Sequence, residues 1–233
     1  LDKVKLPAEE FRALENIMLP DIRNEHFGDK AIVKFRSSIE EFALEGHVPE
    51  KLRIQFDTVK NLFLHSYYVY RFFPIVKHQL FVVLEHAIRE CIGEKRLDLY
   101  RKLKNKGIPK GNPKFSRGLK FNLVFIMDHE LIKNEDFSVW QIGKERAAED
   151  KYDEFIFQKM KEDNLDSYQW NPSEIDYEGV EYDYDYLSVL LETTPALRNA
   201  LAHGSTFLSP TSTLSFEITS VIINKIFERN TKN

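Results

Sequence analysis

The sequence predicts an all-α protein: an antiparallel helical bundle with a helical extension at its N-terminus and an acidic insertion before its penultimate helix. Three observations carry this. Apolar residues recur at steps of three, four and seven through most of the chain. Glycines and prolines punctuate the ends of those stretches. The stretch with period-two alternation, Lys51 to Phe56, has no evident partner strand, so it reads as helix before strand.

Taken in order, Pro7 followed by Ala8, Glu9 and Glu10 marks a helix start, with Phe11, Leu14 and Met18 at helical spacing behind it. A second short helix is expected from Val33 to Leu44, closed by Gly46. The longest pattern runs from Asp57 to Ile92, where Phe73, Val76, Leu80, Leu84, Ala87 and Cys91 share a face. Pro74 interrupts it, either starting a new helix or kinking a long one, and Gly93 is a stop. Lys95 to Lys106 forms a basic helix, residues 107–118 a loop, and Leu119 to Ile132 a buried helix. Residues 1–56 are accordingly an extension, and 57–233 the main helical domain, with the insertion at about 162–182.

The insertion is acidic and aromatic. From Glu162 to Glu192 there are ten acids and no Lys or Arg, whereas from Lys95 to Lys120 ten bases face the single acid Asp98. Two readings follow: solvated faces that attract one another, or a basic surface for phosphates with the acidic segment as an electrostatic gate. Tyr182, Tyr184 and Tyr186 alternate with acids, as a platform for bases or as anchors that pin a loop.

Composition narrows the class. Hydrophobic residues at 42% and charged residues at 30% suit a folded chain, and nine Gly with nine Pro exclude a collagen-like one. The net charge of −4 does not advertise a nucleic-acid binder. One cysteine, Cys91, allows no internal disulfide and no cysteine zinc site, which fits a reducing cytoplasm. No apolar run reaches the ~20 residues of a membrane span, and the first residues show no signal-peptide pattern. There is no internal repeat, Gly-rich phosphate loop, His-Glu-x-x-His or serine elbow, so no cofactor and no metal are expected. His86 beside Glu85, and His129 after Asp128, read as structural.

The final segment is the most informative. Leu187, Leu190, Leu191, Thr194, Leu197 and Leu201 form a stripe at helical period, ended by Gly204. Ser209 and Pro210 then start a last helix, with Leu214, Ile218, Val221, Ile222 and Ile226 along it. On the first of these helices Asn199 and His203 share a face almost opposite the leucines, with Arg198 at the stripe's edge. They meet solvent, another segment or a second subunit.

Arg198-Asn199-Ala200-Leu201-Ala202-His203 resembles the Arg, polar residue, three further residues, His signature of the HEPN superfamily (higher eukaryotes and prokaryotes nucleotide-binding). Gly204, the turn and the final apolar helix are similar to that family's end, and the apolar helix bearing Glu85 resembles its early core helix. The resemblance implies a HEPN-like bundle that dimerises, bringing two motifs together across a two-fold axis. It implies metal-independent cleavage of RNA, as in relatives from defence, toxin–antitoxin and RNA-processing systems, while other relatives only bind or scaffold. His203 would move the proton, Arg198 would hold the phosphate charge, and Asn199 would orient phosphate or imidazole. Lys102, Lys104, Lys106, Lys110, Lys114, Arg117 and Lys120 are the candidate RNA-binding residues. The partners implied are a second copy of the chain, an RNA substrate and a cognate antitoxin protein.

Overall fold

A computed structural model describes residues 11–28, 30–204, 208–210 and 212–230. Among them the chain forms eight α-helices with short 3-10 turns and no strand, as expected for an all-α protein. It divides into two compact units. One joins the described residues up to Ile132 with those from Leu191 onward, and the other is Lys133–Leu190.

The first unit is organised on α3, Phe72–Ile92, which packs against α2 (Glu50–His65) and α8 (Thr213–Asn230) and also meets α4 (Glu94–Lys106) and α5 (Leu119–Asp128). The residues at steps of three and four explain this: Phe73, Val76, Leu80, Leu84 and Ala87 are wholly buried, and Cys91 is half-buried. Phe56 and Phe63 of α2 meet Phe216 of α8 edge-on, with ring centres 5.7 and 5.5 Å apart. Lys51 to Phe56 lies in α2, a helix with Leu52, Phe56, Val59 and Phe63 buried.

Pro74 starts a helix rather than kinking one. It stands in the first turn of α3, where its missing N–H has no helical acceptor to leave unfilled. The chain turns between α2 and α3 because side chains hold it: Asn24 Nδ2 donates to the carbonyls of Ser66 and Tyr67, each at 2.9 Å. Gly93, at φ +85°, separates α3 from α4.

Several expected boundaries move. Phe11, Leu14 and Met18 are exposed, and the chain there makes only a 3-10 turn, Leu14–Asn16; lacking a buried face, the segment has nothing to fix a longer helix. Pro7 to Glu10 lies outside the described residues. The second helix is α1, Ala31–Ser37, shorter than Val33 to Leu44. Instead, Asn224 of α8 clasps the following chain, accepting from Glu45 N at 3.0 Å and donating to Ala43 O at 3.0 Å. α5 stops at Asp128 because Glu130 is left-handed (φ 52°) and the Leu131 amide reaches back to Ile126 O at 2.8 Å. Ser209-Pro210 does not open the last helix, which begins at Thr213 with the Phe216 amide bonded to Ser212 O.

The second unit is built on α6, Ser138–Glu162. Ala148 and Tyr152 of α6 pack with Ile175, flanked by Ile156 and Val180. The Tyr152 hydroxyl donates to Glu174 Oε2 at 3.0 Å, which fastens the loop after α6. Tyr182 crosses Gly143, where a Cβ would lie 2.1 Å from its hydroxyl, so only glycine admits the ring there. Tyr182, Tyr184 and Tyr186 stand ring beside ring at 6.0 and 6.4 Å, and Tyr182 and Tyr186 meet Trp140 and Phe137. These contacts make them anchors of the loop. The acids from Glu162 to Asp185 all belong to this unit.

Candidate functional site

α7, Tyr186–Ala202, carries the Arg-Asn-His residues. Of its apolar stripe, Leu190 and Thr194 are buried, and Leu187, Leu191, Leu197 and Leu201 are half-buried. Arg198 is half-buried at the stripe's edge, while Asn199 and His203 are exposed. His203 is the first residue past the helix, with its amide on Asn199 O at 3.0 Å; Gly204 follows at φ +79° as the left-handed cap.

Arg198 does not dangle. Its Nη2 donates to Glu85 Oε2 at 3.2 Å and its Nη1 to Asn199 Oδ1 at 3.3 Å. Glu85 lies on α3 and is 8% exposed, so the apolar helix and the motif helix meet through this ion pair.

Arg198 and Asn199 line a cavity of about 330 Å³, together with residues of α3, α4, the loop before α5, and the first turn of α5. Its cations are Arg89, Arg101, Arg117, Lys120 and Arg198; its carboxylates are Glu85, Glu94 and Asp98. Asp98 organises one wall. It accepts from Arg101 Nη2 at 3.1 Å and from Arg117 Nε at 3.0 Å, with a second bond from Arg117 Nη2. The Arg117 hydrogen bond, then that of Arg101, holds the Asp98 carboxyl below its ordinary range. Lys120 is held by Glu192 at 3.1 Å.

Gly118, next to Arg117, also lines the cavity. At φ +142° and ψ −179° it takes a backbone conformation that side chains disfavour, although a Cβ would meet nothing within 4 Å. α5 therefore begins without a side-chain cap, and residues of its first turn line the cavity.

The expected RNA-binding residues separate into groups. Arg117 and Lys120 line the cavity. Lys104 pairs with Asp128 at 2.7 Å, beside the Tyr100 hydroxyl that donates to the same carboxylate at 2.6 Å. Lys102, Lys106, Lys110 and Lys114 are exposed and lie outside the cavity lining. His203 also lies outside it.

Glu85, Arg89 and Arg101 are site residues not among the expected ones. The signal for Glu85 was present: a carboxylate buried on a largely apolar helix needs a polar partner inside the fold. His86 and His129 are satisfied by Gln55 Oε1 at 3.0 Å and Phe125 O at 2.8 Å. Among the described residues no three His, Cys, Asp or Glu side chains converge as metal ligands, and no helix is long and apolar enough to cross a membrane. Comparison with protein-family models, curated proteins and solved structures finds no match.

Proposed function

We propose that the chain is a metal-independent endoribonuclease of HEPN type, active in the cytoplasm as a homodimer in defence or as the toxin of a toxin–antitoxin pair. The observation that supports it is the placement of Arg198 and Asn199 on a cavity lined by five cations and three carboxylates, with His203 exposed just past the end of the same helix. In this reading the 2′-hydroxyl oxygen bonds to phosphorus as its proton passes to His203, and the bond from phosphorus to the 5′ oxygen breaks as that oxygen takes a proton from water. A cyclic phosphate and a 5′-hydroxyl end result. Arg198, braced by Glu85, meets the charge that gathers on the phosphorus oxygens. A second copy of the chain contributes its own Arg198 and His203 across the two-fold axis. The exposed Lys102, Lys106, Lys110 and Lys114 draw the strand in.

The test is cleavage of single-stranded RNA by purified protein in EDTA, with the new ends analysed, alongside sedimentation at micromolar concentration. Cyclic phosphate ends and a dimer are expected. Cleavage that vanishes with chelator, or a stable monomer, overturns the mechanism.

One observation favours a second reading, a module that binds RNA without cutting it: His203 does not line the cavity that Arg198 and Asn199 share. Tight RNA binding with no cleavage under any ionic condition identifies that case.

A further inference from the structure

α4 gives one side to the fold and turns the other outward. Leu97 is buried, Lys104 pairs with Asp128, and Asp98 takes Arg101 and Arg117. The outward side carries Lys95, Leu99, Lys102, Leu103 and Lys106, whose spacing puts them on one helix face. All five are exposed, the leucines at 61% and 56%. None of these lysines, nor Lys110 just beyond them, pairs with a carboxylate among the described residues. A phosphate backbone answers the lysines but offers nothing apolar to two leucines.

α6 holds the complement, in the second unit. That unit, Lys133–Leu190, has sixteen acids against six bases. Asp150, Asp153, Glu154 and Phe157 share one face of α6 and are all exposed. Phe157 is 60% exposed even with Lys161 Nζ 4.4 Å from its ring centre. Asp153 accepts from Trp170 Nε1 at 3.1 Å, and none of the three acids has an ion-pair partner among the described residues. One face is thus leucines among lysines, and the other a phenyl ring among carboxylates.

We propose that the outward face of α4 docks α6 of a second copy of this chain, with the two helices antiparallel. With Phe157 set over Leu99 and Leu103, this orientation runs Asp150, Asp153 and Glu154 beside Lys102, Lys106 and Lys110, and brings Lys161 toward Glu94. The parallel orientation sets Lys161 beside Lys106 and Asp150 beside Glu94, like against like. The contact is heterologous, so every copy offers both halves. It uses neither Arg198 nor His203 and holds whether or not the chain cuts RNA. Because it covers Lys102 and Lys106, self-docking and the capture of a strand by those lysines compete.

The experiment mixes full chains labelled with nitrogen-15 and unlabelled full chains at micromolar concentration and low salt, then adds a carbodiimide. The reagent joins a carboxylate to a lysine amine in contact with it, and mass spectrometry separates links between copies from links within one. Mixed-label links from Lys102 and Lys106 to Asp150, Asp153 or Glu154 are expected. At about 1 M salt, where the Debye length is about 3 Å, their yield should fall at least about fivefold. Leu99→Ser/Leu103→Ser should lower it as far, and so should Phe157→Ser; these positions are exposed, and either variant serves if the other does not fold. A yield unchanged in the variants overturns the docking of these faces. Links confined to one label place α6 on its own chain and overturn the second copy. Mixed-label links as frequent at the exposed Lys34 and Lys133 record random encounter and overturn it too. So does the absence of any link; if a single-stranded oligoribonucleotide then shields the α4 lysines from acetylation, the face belongs to RNA.

Discussion

Arg198 places its Nη2 3.2 Å from Glu85 Oε2, joining two helices across 113 residues of chain. The Glu85 side chain is 11% exposed and that of Arg198 31%, so water screens the guanidinium end of the pair. Glu85→Gln is expected to lower stability by about 1 kcal/mol, and Arg198→Ala by about 1–2 kcal/mol because it leaves a carboxylate shielded without its cation. Urea denaturation of both variants and their combination gives the coupling directly. Zero coupling would show that the pair contributes nothing to the fold.

His203→Ala is expected to abolish RNA cleavage with a stability change within about 0.5 kcal/mol, because the side chain is exposed beyond the helix end. Leu80→Ala, a fully buried truncation, should cost about 2–5 kcal/mol in the same assay. Full activity in His203→Ala would remove the residue from the mechanism.

The exposed Lys102, Lys106, Lys110 and Lys114 predict a salt effect. Replacing all four by Ala should flatten the slope of log affinity for single-stranded RNA against log salt by up to about 3, at about 0.7 for each phosphate that a lysine no longer neutralises. An unchanged slope in titrations across salt concentrations would place the strand elsewhere.

Asp98 predicts what pH does to the cavity. Because Arg117 and then Arg101 hold its pKa low, the cluster is intact above the ordinary carboxylate range and is lost only as pH falls through the lowered value. Between pH 5 and 8 Asp98 therefore stays ionised. The stability difference between the parent chain and Asp98→Asn should therefore stay constant between pH 5 and 8 in urea denaturation. A difference that changes across that range would show that Asp98 titrates there.

Burial raises the Cys91 thiol to about 11, and its Sγ–H donates to Ile226 O at 3.4 Å. At pH 8 about one thiol in a thousand is ionised. Iodoacetamide labelling of the native protein should be far slower than of the urea-unfolded chain, with mass spectrometry as the readout. Equal rates would mean that the α3–α8 contact opens readily.

Legibility in the sequence followed burial. α3 was readable because its apolar residues are the buried ones, and Pro74 and Gly93 mark its ends as their backbones demand. α6 was not, because Val139, Ile142, Phe155 and Phe157 are exposed while only Ala148 and Tyr152 are buried, so no stripe forms. At Ser209-Pro210 a sound local start signal is passed over, and the helix begins where Phe216 reaches the core. The Arg-Asn-His triplet was legible in its spacing, whereas the cavity was not. Glu85, Asp98, Arg117 and Arg198 are brought together by tertiary packing, which no local period records.

The discontinuity of the first unit has a consequence for synthesis. Phe56 and Phe63 emerge from the ribosome long before Phe216, the ring they close on, and all of Lys133–Leu190 is made in between. At about 5–20 residues per second, a nascent chain shows that aromatic surface unclosed for on the order of ten seconds. During translation this face stays half-finished, and it closes only once α8 has cleared the exit tunnel.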